Sequence, residues 1–197
     1  MSVRAGSPGG SRFPKRHFLR VRDEAPAFLD SLEEAPAVFF FDDPAAGNRV
    51  LAKGLRERGS LIFFEPSRLV SNADFEAVAI SDIVKFSDEN IPDVSFADAY
   101  PDKVFIQTMG AKGVRYKLKD KPWVTVDAGI TGLVVDTEGA GDWFTAAFIN
   151  ELSESDDMHY VLDHAVYTAR EQATRSIAYL GSKGYIHASR LDSLISP

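Results

Sequence analysis

The stretch Asp-Thr-Glu-Gly-Ala-Gly-Asp-Trp-Phe at residues 136–144 has the residue types for chemistry on a phosphate. Its two glycines permit backbone conformations and close approaches that a β-carbon would block. An amphipathic pattern follows, and the first turn of a helix offers unpaired N–H groups to an anion. Asp142 stands at the same place and can accept a proton beside a developing negative charge. This combination predicts transfer of a phosphoryl group to an alcohol.

A simpler interpretation of the same residues stays open. Gly139 and Gly141 would then only make a tight turn into the helix, with Asp142 as its N-cap. The two interpretations are compatible at one position, because a capping carboxylate also lies at the helix N-terminus.

Alternation of short apolar runs with helical patterns predicts an α/β fold with a mostly parallel sheet covered on both faces. The predicted strands are 37–41, 60–64, 82–86 and 103–108, followed by an extended pair at 114–118 and 123–126. Helices are expected over 24–34, from an Asp43 N-cap to 58, from an Asn72 N-cap to 78, and after residue 142. A last helix is expected to present an apolar stripe that includes Ala165, Ala169 and Leu180. Ligands of such sheets gather at the carboxyl ends of the strands, where the glycine motifs fall.

The nonapeptide closely resembles the signature Asp-Thr-x-Gly-Ala-Gly-Asp-x-Phe of the ribokinase family, also called the phosphofructokinase-B-type carbohydrate kinases. Three further segments are similar to family elements in the expected order: residues 60–68, residues 83–89, and Thr108-x-Gly110-x-x-Gly113. The resemblance covers roughly residues 37–182 and corresponds to the carboxyl-terminal part of the family. It implies a ribokinase-like three-layer sandwich.

The resemblance also implies roles for individual residues. Asp142 would be the catalytic base, and the backbone of Gly139, Ala140 and Gly141 would form an anion hole. The nucleotide would lie against Thr108, Gly110 and Gly113, with ATP as co-substrate. Magnesium would be held near Glu89 or Asp136, and a monovalent cation is also expected near Asp136. Hydrogen bonding at a strand end is the alternative role of Asp136.

This sequence departs from the family pattern in several places. Glu65 stands where the family commonly has aspartate, Ser67 where it often has asparagine, and Ser87 where an asparagine of the phosphate region is usual. The glycine-rich amino-terminal segment, the early strands and the lid over the sugar have no convincing counterpart in this chain. The expected fold therefore lacks the usual amino-terminal portion and lid.

Two classes of function follow. The first is an ATP-dependent kinase acting on a hydroxyl of a sugar, a nucleoside or a related small molecule. The second is a non-catalytic, kinase-derived module that binds nucleotide or another protein. Because the substrate-selecting part has no counterpart, a homo-oligomer or a partner chain that supplies these elements is a further expectation.

Composition narrows the remaining possibilities. Residues 1–22 contain six basic residues and no acidic one, and we expect a flexible arm there, followed by one domain over 23–197. The chain has net charge −7, so the rest of it is acidic and a nucleic-acid partner is not expected. There is no cysteine, and no apolar run is long enough to span a membrane. We expect a cytoplasmic protein, with organellar targeting by the basic arm as the alternative.

Overall fold

The computed structural model describes residues 15–129, 132–154, 158–184 and 186–187. Its helices are α1 (Lys15–Ser31), α2 (Ala46–Glu57), α3 (Asn72–Ile80), α4 (Ala140–Ser153) and α5 (Met158–Ser176). Its strands are β1 (Val38–Phe41), β2 (Leu61–Phe64), β3 (Ile83–Ser87), β4 (Val104–Thr108), β5 (Val114–Lys117) and β6 (Val124–Val126). Short 3-10 helices cover Ser95–Ala99 and Gly110–Lys112.

The six strands form one sheet in chain order, β1 to β6. Strands β1 to β4 are parallel, and β5 and β6 extend the sheet in antiparallel fashion. All strands of the described residues belong to this sheet, so those residues include no separate small sheet that could serve as a lid. The predicted α/β fold and mostly parallel sheet are confirmed.

Helices cover both faces of the sheet and create two cores. One core places Phe144, Phe148 and Ala165 of α4 and α5 against β2, β3 and β4. The other places Ala52 and Leu55 of α2 and residues of α3 against the opposite face. Strands β2 to β4 are nearly continuous apolar runs because both of their faces are buried. The three-layer arrangement is confirmed.

Several local predictions needed correction. Helix α2 begins at Ala46 without a side-chain cap, so Asp43 is not its N-cap. Ser71, rather than Asn72, caps α3 through a capping box with Asp74. Leu180 follows the end of α5 and is 78% exposed, so it is not a core residue. The cap of α2 lies two residues later than predicted and that of α3 one residue earlier, and shifts of this size are common at helix ends.

The boundary predicted between residues 22 and 23 does not coincide with the end of an element. Helix α1 runs through it, from Lys15 to Ser31, and packs against α2. Residues 1–14 of the predicted arm lie outside the described residues.

Candidate anion-binding site at the start of α4

The turn formed by residues 136–142, here called the signature turn, leads directly into α4. Gly139 is the N-cap of the helix and adopts a left-handed conformation, with φ +79° and no side-chain cap. Asp142 is therefore not the N-cap, and that interpretation is wrong. It is the third residue of α4 and is exposed to solvent. A carboxylate in the first helical turn interacts favourably with the helix dipole.

The backbone N–H groups at the start of α4 differ in their hydrogen bonding. Ala140 N–H donates to the Thr137 carbonyl at 3.3 Å, and Trp143 N–H donates to the Gly139 carbonyl at 2.9 Å. Among the described residues, the N–H groups of Gly141 and Asp142 have no acceptor. Two adjacent unsatisfied donors at a helix N-terminus form an anion-binding arrangement.

Contacts with the sheet place this turn above the carboxyl ends of β2 and β3. Thr145 of α4 donates a hydrogen bond of 2.7 Å to Glu65, the residue that follows β2. Lys85 of β3 forms an ion pair with the same Glu65, and its ammonium lies 5.7 Å from the centre of the Phe144 ring. The predicted location at the carboxyl ends of parallel strands is the one observed.

A second segment, residues 181–184, closes against the signature turn, and we call it the closing segment. Trp143 Nε1 donates to the Ser182 carbonyl at 2.9 Å. Gly181 N–H donates to Asp136 Oδ2 at 3.0 Å. A β-carbon placed on Gly139 would lie 2.5 Å from Ser182 Cβ, so only glycine fits where the two segments meet. The sequence alone had not indicated this contact.

Asp136 uses both carboxylate oxygens inside the protein. Besides the bond from Gly181, its Oδ1 accepts the Glu138 N–H at 3.0 Å. The hydrogen bonds from Glu138 and Gly181 hold the pKa of Asp136 below its usual value. This geometry matches the hydrogen-bonding alternative for Asp136, while its role toward a metal stays a prediction.

The predicted nucleotide residues lie at the end of β4 and in the turn into β5. Thr108 is the last residue of β4, opposite Ser87 in the parallel register with β3. Gly113 has φ +94°, and a β-carbon there would collide with the backbone carbonyl of Val126. Gly110 also has a positive φ, +54°, but a β-carbon there would meet nothing within 4 Å. Of the two glycines, Gly113 is therefore required by close packing and Gly110 only by its backbone angle.

The loop after β3 approaches the same edge. Asp88 N–H donates to the Thr108 carbonyl at 2.9 Å, so the ends of β3 and β4 are joined. The Nζ of Lys112 lies 3.5 Å from Oδ2 of Asp88 across this edge. Glu89, the predicted metal residue, is exposed next to Asp88. Within the described residues, no group of three or more His, Asp or Glu side chains could by itself hold a metal ion.

Two cavities of the described residues lie away from the signature turn. One, of ≈ 470 Å³, lies between α2 and α3 and includes Lys53 and Glu76 in its wall. Another, of ≈ 200 Å³, lies at the amino ends of the strands, with Leu61, Ile83 and Val104 in its wall. Neither cavity includes a predicted site residue in its wall. The candidate site is therefore assigned from the free backbone N–H donors and the charged side chains at the carboxyl ends of the strands. A phosphate site made of backbone N–H groups needs no deep cavity.

An α/β sheet with an anion-binding helix N-terminus at its carboxyl edge is an architecture suited to phosphate-containing ligands. The family model "pfkB family carbohydrate kinase" matches residues 65–183. That match covers more than half of the chain, and the chain belongs to this family. The resemblance inferred from the motifs is thereby confirmed.

Individual relatives agree with this assignment. The chain is 35% identical over 96 residues to the ribokinase of Bacillus subtilis (strain 168). The aligned region covers 47% of this chain and 30% of that protein. The solved aminoimidazole riboside kinase from Salmonella enterica, complexed with aminoimidazole riboside and an ATP analogue, matches with a TM-score of 0.62 and 22% identity. That match covers 83% of this chain and 64% of the enzyme.

A third comparison gives the same fold. The fructokinase from Vibrio cholerae O395, bound to fructose, ADP and a calcium ion, matches with a TM-score of 0.67 and 18% identity. The match covers 80% of this chain and 60% of that enzyme. The chain thus spans less than two thirds of each of these three relatives. Its described helices include none long and apolar enough to cross a membrane.

Proposed function

We propose that this chain forms the phosphate-binding and proton-accepting part of a kinase site that acts on a sugar, nucleoside or related alcohol. The observation that carries the proposal is the position of Asp142. Its exposed carboxylate stands in the first turn of α4, beside the unpartnered N–H groups of Gly141 and Asp142 itself. Membership of the carbohydrate kinase family supports the same reaction class.

In this proposal the substrate hydroxyl oxygen attacks the γ-phosphorus of ATP, and its proton passes to the Asp142 carboxylate. The bond between the γ-phosphorus and the bridging oxygen breaks, and ADP leaves. The N–H groups of Gly141 and Asp142 stabilise the negative charge on the transferred group, and Gly139 and Ala140 form the turn that presents them. Such transfer depends mainly on positioning and electrostatics, which a preorganised backbone site supplies.

Thr108, Gly110 and Gly113 are proposed to line the nucleotide side of the site. The hydrogen bond between Asp88 N–H and the Thr108 carbonyl keeps the ends of β3 and β4 together there. ATP is the proposed co-substrate, supported by the ATP analogue and ADP bound in two structural relatives.

Magnesium is proposed to enter with the nucleotide, since Mg²⁺ is commonly held by one or two carboxylates together with phosphate oxygens and water. Exposed Glu89 fits such a minor role, whereas both oxygens of Asp136 already accept backbone N–H groups. Bound magnesium would neutralise phosphate charge. A monovalent cation near Asp136, a homo-oligomer or a completing partner chain, and a cytoplasmic location stay predictions.

The test compares the wild-type protein with Asp142→Asn and with Glu138→Gln as a matched control. Glu138 is an exposed carboxylate in the same turn whose side chain has no proposed role. We expect ADP and ATP to bind all three proteins by calorimetry. With a panel of sugars and nucleosides, Asp142→Asn should lower ATP consumption about 100-fold or more, the usual contribution of a general base.

Three outcomes separate the alternatives. Turnover that survives in Asp142→Asn would refute the role of Asp142. Binding of nucleotide without turnover on any acceptor would favour the non-catalytic module. Absence of binding to ADP and ATP at millimolar concentration would refute both nucleotide-based functions.

A further inference from the structure

A buried charged side chain projects from the sheet toward α4, next to the signature turn. Lys85 belongs to the apolar strand β3, and its side chain is only 2% exposed. Its ammonium pairs with the carboxylate of Glu65. A methyl group placed on Gly141 would lie 3.9 Å from Lys85 Nζ, so the charge sits immediately below the proposed anion hole.

Glu65 joins this lysine to helix α4. One of its oxygens pairs with Lys85, and the other accepts the hydroxyl of Thr145 at 2.7 Å. The Thr145 hydroxyl also lies 3.0 Å from the Gly141 carbonyl. A hydroxyl has one proton, and a carboxylate is the stronger acceptor, so the bond to Glu65 dominates.

Three elements therefore meet at one carboxylate: the end of β2, the middle of β3 and the second turn of α4. We call Lys85, Glu65 and Thr145 the lysine network. Burial of an ammonium is expensive unless a charged partner and hydrogen bonds compensate it. Both the ammonium and the helix N-terminus are positive, so Glu65 is needed between them. Because Glu65 binds both Lys85 and Thr145, separating Lys85 from Glu65 would disturb the start of α4.

This arrangement bears on Asp142 through the backbone. Gly139 and Gly141 flank Ala140 immediately before Asp142, and glycine restrains the backbone less than any other residue. Besides the closing segment, the hydrogen bond from Thr145 to Glu65 holds the start of α4 against the sheet. Catalytic groups lose much of their effect when they are displaced by about 1 Å.

We infer that Lys85, acting through Glu65 and Thr145, is a positioning residue that holds the Gly141–Asp142 turn over the carboxyl ends of β2 and β3. This inference rests on the proposed function for its catalytic consequence. Its structural consequence, a rigid first turn of α4, can be measured without any substrate.

The first experiment measures hydrogen–deuterium exchange of α4 in Lys85→Met, Thr145→Val and Thr145→Ser. Lys103→Met is the matched control, because Lys103 is another buried lysine, placed at the amino end of β4. We expect exchange of the amides of residues 143–146 to rise about tenfold or more in Lys85→Met and Thr145→Val, relative to residues 148–152. Thr145→Ser keeps the hydroxyl and should resemble the wild type, and Lys103→Met should leave that ratio unchanged.

The second experiment measures kinetics with an acceptor that the wild type phosphorylates. Thr145→Val should lower kcat about tenfold with KM for ATP nearly unchanged, because the displaced turn acts on the transferred group and the base in the transition state, whereas the nucleotide is proposed to lie against Thr108, Gly110 and Gly113. Thr145→Ser should restore kcat. If Thr145 only stabilised the fold, Thr145→Val would lower the free energy of unfolding without lowering kcat at constant KM.

The two experiments keep the inference separate from the proposed function. If the wild type binds no nucleotide and turns over no acceptor, the proposed function fails, and the exchange data alone decide the inference. Unchanged exchange at 143–146 in Thr145→Val would overturn it, as would an equal rise in Lys103→Met. If Lys85→Met does not fold, Thr145→Val carries the test, since it removes only one hydroxyl.

Discussion

The contact between Gly139 and Ser182 leads to a sharp prediction for Gly139→Ala. Gly139 has φ +79°, and the left-handed conformation costs a non-glycine residue about 1–2 kcal/mol. The new methyl group would also lie 2.5 Å from Ser182 Cβ and 2.9 Å from Ser182 Cα. Relieving such overpacking typically costs about 1–3 kcal/mol more. The free energy of unfolding should therefore fall by about 2–5 kcal/mol.

Gly110→Ala is the matched control for this effect. Gly110 has φ +54°, but a β-carbon there would meet nothing within 4 Å. Its cost should be the conformational part alone, about 1–2 kcal/mol. For a chain of 197 residues, each kcal/mol lowers Tm by roughly 2–4 °C. Thermal unfolding should then show a drop of roughly 4–20 °C for Gly139→Ala against roughly 2–8 °C for Gly110→Ala.

A double variant tests the cause. In Gly139→Ala with Ser182→Gly, the Ser182 β-carbon is gone, and part of the loss should be recovered beyond the sum of the two single effects. Equal stability of Gly139→Ala and Gly110→Ala, together with strict additivity in the double variant, would refute the packing of the closing segment against the signature turn.

The remaining predictions concern two groups outside the site. Burial raises the pKa of Asp74, but hydrogen bonds from Val70 and Ser71 outweigh it, so that the folded-state pKa lies below the usual value. A lowered carboxyl pKa stabilises the fold above the unfolded-state value, and this stability is lost as the pH falls through the folded-state value. Thermal unfolding between pH 7 and pH 3 should thus show a smaller acid-induced loss for Asp74→Asn than for the wild type, and parallel curves would contradict the assignment. Lys103 donates to the Ala79 and Ser81 carbonyls at 2.8 and 2.7 Å, at the end of α3. Lys103→Met leaves these acceptors unpaired and should reduce the free energy of unfolding by about 1–3 kcal/mol in urea titrations, whereas an unchanged midpoint would contradict this role.

Much of the fold was predictable because local patterns and tertiary structure agree. Strands β2, β3 and β4 are short apolar runs bounded by turn residues, and all of them were placed to within one residue of their bounds. The predicted end of the second helix at residue 58 lies one residue from the observed end of α2 at Glu57, and Gly59 follows with φ +95°. Helix starts were less predictable. Ala45 occupies the cap position of α2 although Asp43 is the better capping residue, and Ser71 and Asn72 are both suitable caps for α3.

The sequence by itself determined the family and the segment that carries its signature, since Gly139 and Asp142 lie only three residues apart in the chain and their spacing is part of the motif. Only the tertiary structure decided what supports them. The partners of the signature turn, Ser182 and Glu65, are about 40 and 80 residues away along the chain. A buried ammonium such as that of Lys85 needs a charged partner, and only the structure identifies this partner as Glu65. Contacts between distant segments depend on how sheet and helices pack, and no local pattern of residues encodes that packing.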